Sequence, residues 1–250
     1  MKKLIILSLI CIVPIAPLVL AQDATPAQHR NKPGAQARAD LLMQAGGLIR
    51  EPISGPTFLF LNAQTRVTPD AITAVQKELE TVLRFAFSVE TRKTSTAPLE
   101  DAATAVKDTT RTAAVIVICD TPTLPPVLIA PESRWGIVNV AALVTDKPSN
   151  DVLETRTRKE LWRTFAYLMG AANSTFEHCL MKTVTSLSDL DAFKETVVSP
   201  EPLSKVMIHA QKIGIRPLRT VTYKKACEEG WAPAPTNDIQ KAIWNGAKKL

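Results

Sequence analysis

Histidine and cysteine, the residues that most often bind metals or act as nucleophiles, are scarce in this sequence. The 250 residues contain the histidines His29, His178 and His209 and the cysteines Cys11, Cys119, Cys179 and Cys227. His178 and Cys179 are adjacent, so their side chains cannot easily share one metal. The sequence also lacks the G-x-S-x-G pattern of serine hydrolases. A histidine-rich metal site and a serine nucleophile are therefore not indicated.

One long segment before Gly170 has the spacing of an amphipathic helix. Residues 150–169 predict an amphipathic helix that ends at Gly170, because glycine is the usual stop signal. Leu153, Leu161, Phe165, Leu168 and Met169 form its apolar face, and the charged residues lie elsewhere on the helix.

Five short apolar runs precede this helix and predict the strands that must position it. They are residues 57–61, 85–89, 114–119, 127–130 and 135–140. Predicted helices at 68–83 and 99–109 separate the first three runs, which favours parallel pairing, whereas the four residues Pro131 to Arg134 favour a hairpin. The sequence therefore predicts an α/β fold with a mixed five-stranded sheet and one antiparallel edge strand.

The C-terminal part of the chain predicts helices. A turn with Cys179-Leu180-Met181 is followed by a short helix from Ser188, another over residues 204–213 and a last one near 237–247. We therefore divide the chain into residues 1–21, a signal peptide; 22–50, a mobile leader; 51–200, the sheet-containing domain; and 201–250, a helical extension packed on it.

The order of strands, long helix, glycine and methionine turn resembles that of the metzincin metalloproteases, and in detail that of the archaemetzincins. The family signature reads H-E-x-x-H-x-x-G-x-x-H-C, four residues, C-x-M, seventeen residues and C-x-x-C. With Gly170 as anchor, Cys179 falls on the family's cysteine and Met181 on its Met-turn methionine without a gap. The resemblance covers about residues 55–195 and implies a zincin-like fold.

In the same register the zinc-binding residues of the family are replaced. The three histidines fall on Arg163, Tyr167 and Asn173, which we call the ghost zinc positions; the general-base glutamate falls on Thr164, and the remaining cysteines of a second site on Ser174, Ser199 and Pro202. Guanidinium has no lone pair to offer, and a phenol with a pKa near 10 is a poor ligand alone. The resemblance therefore implies a pseudopeptidase: zinc is the cofactor of the family, but we expect none here.

In this register Arg163 and Tyr167, four residues apart on one helix face, could line a ligand cleft in the place of the zinc, since arginine can grip a carboxylate with two hydrogen bonds. The alternative is an exposed arginine and a half-buried tyrosine. We interpret Glu160, on the same helix, as a solvated residue rather than a replacement base.

The run Val127, Leu128, Ile129 and Ala130 corresponds, in this resemblance, to the edge strand on which metzincins align their substrates. A peptide can add to such an edge without any metal. The alternative is an ordinary sheet edge that Pro125, Pro126 and Pro131 protect from aggregation.

The first residues predict a secretory signal peptide cut after Ala21. Lys2 and Lys3 precede an apolar stretch over residues 4–20, although a retained membrane anchor would share these features. We expect a secreted or periplasmic protein without a membrane anchor after cleavage. Cleavage removes both lysines, so the formal charge of +6 becomes +4, which is too mild to indicate a nucleic-acid partner.

Three cysteines remain after cleavage, so at most one internal disulfide can form. Cys179 and Cys227 are the candidate pair, because both lie after the sheet on loops or turns. Cys119 ends a buried strand and is expected to behave as a small apolar residue.

These observations predict a secreted, archaemetzincin-like pseudopeptidase that binds a peptide or protein partner. Two alternatives stay open: an active metal-dependent peptidase with atypical ligands, and an envelope-associated structural protein that uses the tail with Trp231, Pro233 and Pro235. The ligand and the oligomeric state do not follow from the sequence.

Overall fold

The structure, a computed structural model, describes residues 48–92, 97–194, 196–236, 238 and 241. The predicted signal peptide, the leader before residue 48 and most of the predicted helix at 237–247 lie outside the described residues. In the described part no helix is long and apolar enough to cross a membrane.

A mixed five-stranded sheet forms the centre of the fold. Its strands are β2 (Thr57–Asn62), β3 (Phe87–Thr91), β4 (Thr112–Cys119), β5 (Val127–Ala130) and β6 (Trp135–Asn139), in the order β3-β2-β4-β6-β5. All neighbours are parallel except β5 and β6, which are antiparallel. The predicted α/β class and the antiparallel hairpin are therefore confirmed.

Helices cover both faces of the sheet. They are α1 (Pro69–Leu83), α2 (Pro98–Ala105), α3 (Val140–Leu143), α4 (Asn150–Leu168), α5 (Leu187–Ala192), α6 (Pro200–Lys212) and α7 (Tyr223–Glu228). Alternate residues of β2 and β4 enter two separate cores: Phe60 and Ile116 face α1 and α4, whereas Leu61 and Val117 face α2. Both strands are buried on both faces, which explains their uninterrupted apolar runs.

Helix α1 begins where the sequence predicts. The Thr68 hydroxyl accepts a hydrogen bond from the Ala71 N–H, and Pro69 occupies the first turn. Ile72, Val75 and Leu79 are buried at helical spacing against the sheet.

Strand β3 begins two residues later than predicted. Arg84 adopts a left-handed conformation after α1, and Phe85 is completely buried in the connection, where its apolar side chain imitates a strand residue. The second helix is shorter than predicted, because residues 108–112 form a hydrogen-bonded turn into β4.

A second, two-stranded sheet joins the two ends of the described chain. Strand β1 (Leu48–Arg50) pairs in antiparallel fashion with β7 (Thr220–Thr222). Glu51 continues this contact, since its carboxylate accepts hydrogen bonds from the Arg216 guanidinium and from the Arg219 N–H. The sequence assigned residues 48–50 to the leader, but they belong to the fold. Their partner strand lies about 170 residues further along the chain, so local sequence patterns do not predict the pairing.

Candidate functional site: a cleft along β5 and α4

Helix α4 is the platform of the cleft, and its end is set by Gly170. The Gly170 N–H donates to the Tyr167 carbonyl and the Ala171 N–H to the Ala166 carbonyl, both at 2.9 Å. This double closure requires a left-handed residue after the helix, and Gly170 has a φ of +79°. The turn sends the chain back along the helix, which brings Asn173 to the side chains of the last two turns.

The three positions at which the resemblance puts zinc ligands converge on one point. The Tyr167 hydroxyl lies 2.5 Å from Asn173 Oδ1 and 3.4 Å from Arg163 Nη2. The Arg163 guanidinium carbon lies 5.6 Å from the centre of the Tyr167 ring. The sequence register therefore places together three side chains that also meet in space.

Arg163 is buried at the centre of this cluster, contrary to the alternative that left it exposed. Only 6% of the residue is exposed. Its Nη1 donates to the backbone carbonyls of Leu180 and Lys182, the latter at 2.8 Å. Its Nε lies 3.5 Å from the Glu160 carboxylate, an ion-pair contact without hydrogen-bond geometry. Arg163 thus ties α4 to the segment around Met181.

Glu160 is the residue that sequence reasoning assigned wrongly as solvated. It is 7% exposed and lies one turn before Arg163. Burial raises the pKa of its carboxyl group, and the charge of Arg163 opposes this only in part. Burial likewise raises the pKa of the Tyr167 hydroxyl. Glu160 lies on a helix face with many polar residues, so the neighbouring sequence did not indicate that it is buried.

Thr164, at the position of the general base, faces the sheet. It is completely buried, and its hydroxyl finds no hydrogen-bond partner among the described residues. Its Cγ2 packs so closely on Gly136 of β6 that a Cβ at Gly136 would lie 2.6 Å from it. A threonine hydroxyl in this place cannot take a proton from water in the cleft.

The segment around Met181 closes the cleft from below. Met181 is completely buried and Cys179 almost so, as the Met-turn resemblance implies. The Ser174 N–H donates to the Met181 carbonyl at 2.9 Å, and the Leu180 N–H donates to the Val197 carbonyl at 2.8 Å. These bonds hold in place the segment whose carbonyls Arg163 uses.

Three of the four positions of the second family site also lie together. The hydroxyls of Ser174 and Ser199 are 3.4 Å apart, and the Cys179 sulfur accepts the Ser199 N–H at 3.2 Å. Burial alone would raise the pKa of the Cys179 thiol, but the hydrogen bonds from Ser199 and Met181 outweigh it and the pKa is lowered. Pro202, the fourth position, is buried in the first turn of α6.

Cys119, Cys179 and Cys227 are free thiols in the structure. The candidate bridge between Cys179 and Cys227 is not formed. Cys179 is turned to Ser199 and Met181 inside the core, whereas the Cys227 thiol donates to the Pro233 carbonyl at 3.2 Å. Both thiols lie in stretches outside the main sheet, but that shared location does not bring them together.

Strand β5 forms the upper wall of the cleft. In the described part of the chain it pairs only with β6, so its other edge faces the cleft. Two adjoining pockets of about 490 and 440 Å³ follow this edge, the first beside Ile129 and the second beside Val127. Arg163 and Tyr167 line both pockets. Val127 and Ile129 of the predicted binding edge thus share one groove with the ghost zinc positions, whereas Leu128 packs against the core on the other face of the sheet and Ala130 lines neither pocket.

The donor set of this cluster does not fit a zinc ion. A catalytic zinc needs three lone-pair donors at about 2.0–2.2 Å. Arg163 instead brings a permanent positive charge and only hydrogen-bond donors, and its guanidinium already contacts two carbonyls and a carboxylate. In the described residues no cluster of three or more His, Cys, Asp or Glu side chains could hold a metal ion either.

Comparisons with models of protein families and with curated proteins give no match. Among solved structures, archaemetzincin from Methanopyrus kandleri matches with a TM-score of 0.50 and 16% sequence identity, over 64% of this chain and 98% of that chain. This chain has an archaemetzincin-like fold. A zinc-dependent peptidase from Methanocorpusculum labreanum matches with a TM-score of 0.48 and 15% identity, over 60% of this chain and 99% of that chain. At these identities the likeness of the archaemetzincin-like chain concerns the fold alone.

Arg156 is a second buried arginine of α4 that the sequence did not single out. It is 3% exposed and binds Asp146 and Asp191 with two hydrogen bonds each, at 2.6–2.9 Å. Its Nη1 also donates to the Leu143 carbonyl at 2.8 Å. Arg156 therefore fixes α4 to α3 and α5, which form the far end of the cleft.

Proposed function

We propose that this chain is a secreted or periplasmic pseudopeptidase whose cleft binds a peptide or protein partner. The observation that carries the proposal is the position of Arg163. Arg163 is one of the three ghost zinc positions, and its guanidinium donates hydrogen bonds to the carbonyls of Leu180 and Lys182.

The chemistry of the residues present supports the proposed loss of hydrolysis. A metalloprotease uses its zinc to lower the pKa of a bound water and a carboxylate to take the proton. Arg163 and Tyr167 supply donors and a weak ligand where zinc would need lone pairs. The buried Thr164 cannot act as the base, and the nearby carboxylate of Glu160 is paired with Arg163.

Binding is supported by the edge of β5. A peptide can add to an exposed strand edge through its backbone while its side chains enter neighbouring pockets. The groove beside β5 offers both features, an edge that pairs on one side and two pockets of about 490 and 440 Å³. Because the predicted signal peptide directs the chain out of the cytoplasm, we expect the partner to be an extracellular or periplasmic peptide or protein. The small net positive charge does not favour a nucleic-acid partner.

The proposal is tested with the purified mature chain. Binding of pooled fluorescent decapeptides is measured by polarisation, and cleavage of the same peptides is followed by mass spectrometry. We expect saturable binding without cleavage. Ala142→Trp, which fills the pocket beside Val127, should abolish binding, whereas Ala74→Trp, on an exposed face of α1, should not. Metal-dependent cleavage, or equal binding by both variants, would contradict the proposal.

A further inference from the structure

The pocket beside Val127 has apolar walls and a charged floor. Its walls are formed by side chains of β5, α3, α5 and the segment before α5: Val127, Leu143, Val184, Leu187 and Leu190. Its floor is formed by Glu160, Arg163 and Tyr167 of α4. A volume of about 440 Å³ is ample for one large side chain. The pocket is thus built for a group with an apolar body and a polar end.

The Glu160 carboxylate is the acceptor on this floor that is open to the pocket. Among the described residues its sole partner is the ion pair with Arg163 Nε, at 3.5 Å and without hydrogen-bond geometry. Its oxygens are not among the fully enclosed unpartnered atoms, and the residue lines the pocket, so a hydrogen-bond donor that enters the pocket can reach them. The raised pKa of Glu160 agrees with its burial.

The positive charge of the neighbouring Arg163 favours an uncharged hydrogen-bond donor in the ligand. Glu160 and Arg163 together are electrically neutral, and Arg163 cannot lose its proton. A lysine or arginine side chain would therefore add an unbalanced charge to a mostly apolar pocket, which is costly. A neutral donor on an aromatic body satisfies the carboxylate without this cost, because tyrosine combines a large apolar surface with a hydroxyl that needs a partner when buried.

We propose that this pocket selects a tyrosine side chain of the bound peptide, whose hydroxyl donates to the Glu160 carboxylate. This inference rests on the proposed function, since it names the residue that the peptide-binding groove recognises. It assigns to Glu160 a role in specificity and leaves the peptide backbone to the edge of β5.

The experiment compares four pools of random decapeptides that differ only in one fixed central residue, which is tyrosine, phenylalanine, lysine or alanine. Binding to the wild-type mature chain is measured by fluorescence polarisation. A hydrogen bond to a charged acceptor predicts that the tyrosine pool binds roughly 10- to 100-fold more tightly than the phenylalanine pool. This comparison needs no protein variant and so does not depend on the folding of one.

Two variants assign the preference to Glu160. Glu160→Leu should remove the difference between tyrosine and phenylalanine, whereas Glu160→Gln, which keeps an acceptor oxygen, should retain part of it. Equal binding of all pools to the wild type would overturn the tyrosine inference and leave the proposed function standing. Preference for the lysine pool would overturn it as well, and failure of every pool to bind would overturn both.

Discussion

Arg163 on α4 donates a 2.8 Å hydrogen bond to the backbone carbonyl of Lys182, nineteen residues further along the chain. With its bond to the Leu180 carbonyl, it joins the helix to the segment that carries Met181. In a metal site the ion joins such elements through its ligands. Here a protein side chain with a fixed positive charge makes the connection.

Removal of the Arg163 guanidinium should destabilise the fold. Arg163→Ala leaves two carbonyls and the Glu160 carboxylate without their partner, and loss of one member of a buried ion pair costs about 3–5 kcal/mol. Arg163→Lys keeps the charge but cannot serve all partners, so its free energy of unfolding should fall between those of the wild type and Arg163→Ala. Urea denaturation followed by circular dichroism measures these differences.

Arg158 provides the matched control on the same helix. It binds Glu78 with two hydrogen bonds, but 47% of its side chain is exposed. An exposed pair contributes about 0–1 kcal/mol, so Arg158→Ala should have little effect. Equal losses for Arg158→Ala and Arg163→Ala would show that Arg163 is not the central cross-link.

A zinc site should appear when the arginine is replaced together with its two neighbours. R163H/Y167H/N173H puts three imidazoles at positions whose side chains already converge. This variant should bind about one zinc, and free zinc at 100 times the Kd should raise its free energy of unfolding by about 2.7 kcal/mol. Isothermal titration calorimetry and thermal unfolding measure both effects.

The control is Y167H/N173H, in which Arg163 remains. We expect no zinc binding, because the guanidinium stays at the centre of the cluster. Peptidase activity should be absent in both variants, since Thr164 packs against Gly136 and offers no base. A triple variant that folds but does not bind zinc would contradict the convergence of the three positions.

The Arg156 cluster should make stability depend on pH in the acid range. Hydrogen bonds from Arg156 lower the pKa of Asp146 and of Asp191 below their ordinary values. Their stabilisation is therefore complete above the unfolded pKa of about 3.9 and is lost as the pH falls through the lowered values. The difference in unfolding free energy between wild type and Arg156→Gln should thus be large at pH 6–7 and shrink below about pH 4.

Lys205→Gln is the control for this experiment, since Lys205 pairs with Glu201 on the surface of α6. Its effect should be small at every pH. A difference for Arg156→Gln that grows toward acid pH would contradict the assigned role of the two aspartates. The bond to the Leu143 carbonyl should leave a residual loss at low pH.

Gly170→Ala should destabilise the end of α4. The φ of +79° is strained for any residue with a Cβ and costs roughly 1–2 kcal/mol. Gly55→Ala is the control, because a Cβ at this glycine would have no other atom within 4 Å and its φ is not left-handed. Chemical denaturation measures the free energy of unfolding of both variants. An unchanged denaturation midpoint for Gly170→Ala would contradict the assigned helix end.

Local patterns were sufficient to predict the layers of the fold. The apolar run of β4 and the helical spacing of Ile72, Val75 and Leu79 depend on neighbours in sequence, and both elements formed where expected. The helix end at Gly170 is also local, but the positions of Arg163 and Asn173 came from the family signature anchored on this glycine.

The burial of charged side chains could not be predicted from local sequence patterns. Whether Glu160 or Arg156 is solvated depends on partners that come from distant segments, such as Asp191, and a single sequence contains no signal of that proximity. The pairing of β1 with β7 was missed for the same reason. The parts of the site that depend on long-range contacts are therefore those that the structure added.

We propose that Arg163 stands where the zinc of the archaemetzincins would lie, and the metal content of the chain tests this proposal. The purified chain without the predicted signal peptide is equilibrated with zinc, freed of excess zinc and analysed by inductively coupled plasma mass spectrometry, with R163H/Y167H/N173H as the positive control. We predict no stoichiometric zinc in the wild type and about one zinc per chain in the control. About one zinc per wild-type chain, together with chelator-sensitive peptide cleavage, would contradict the proposed role of Arg163.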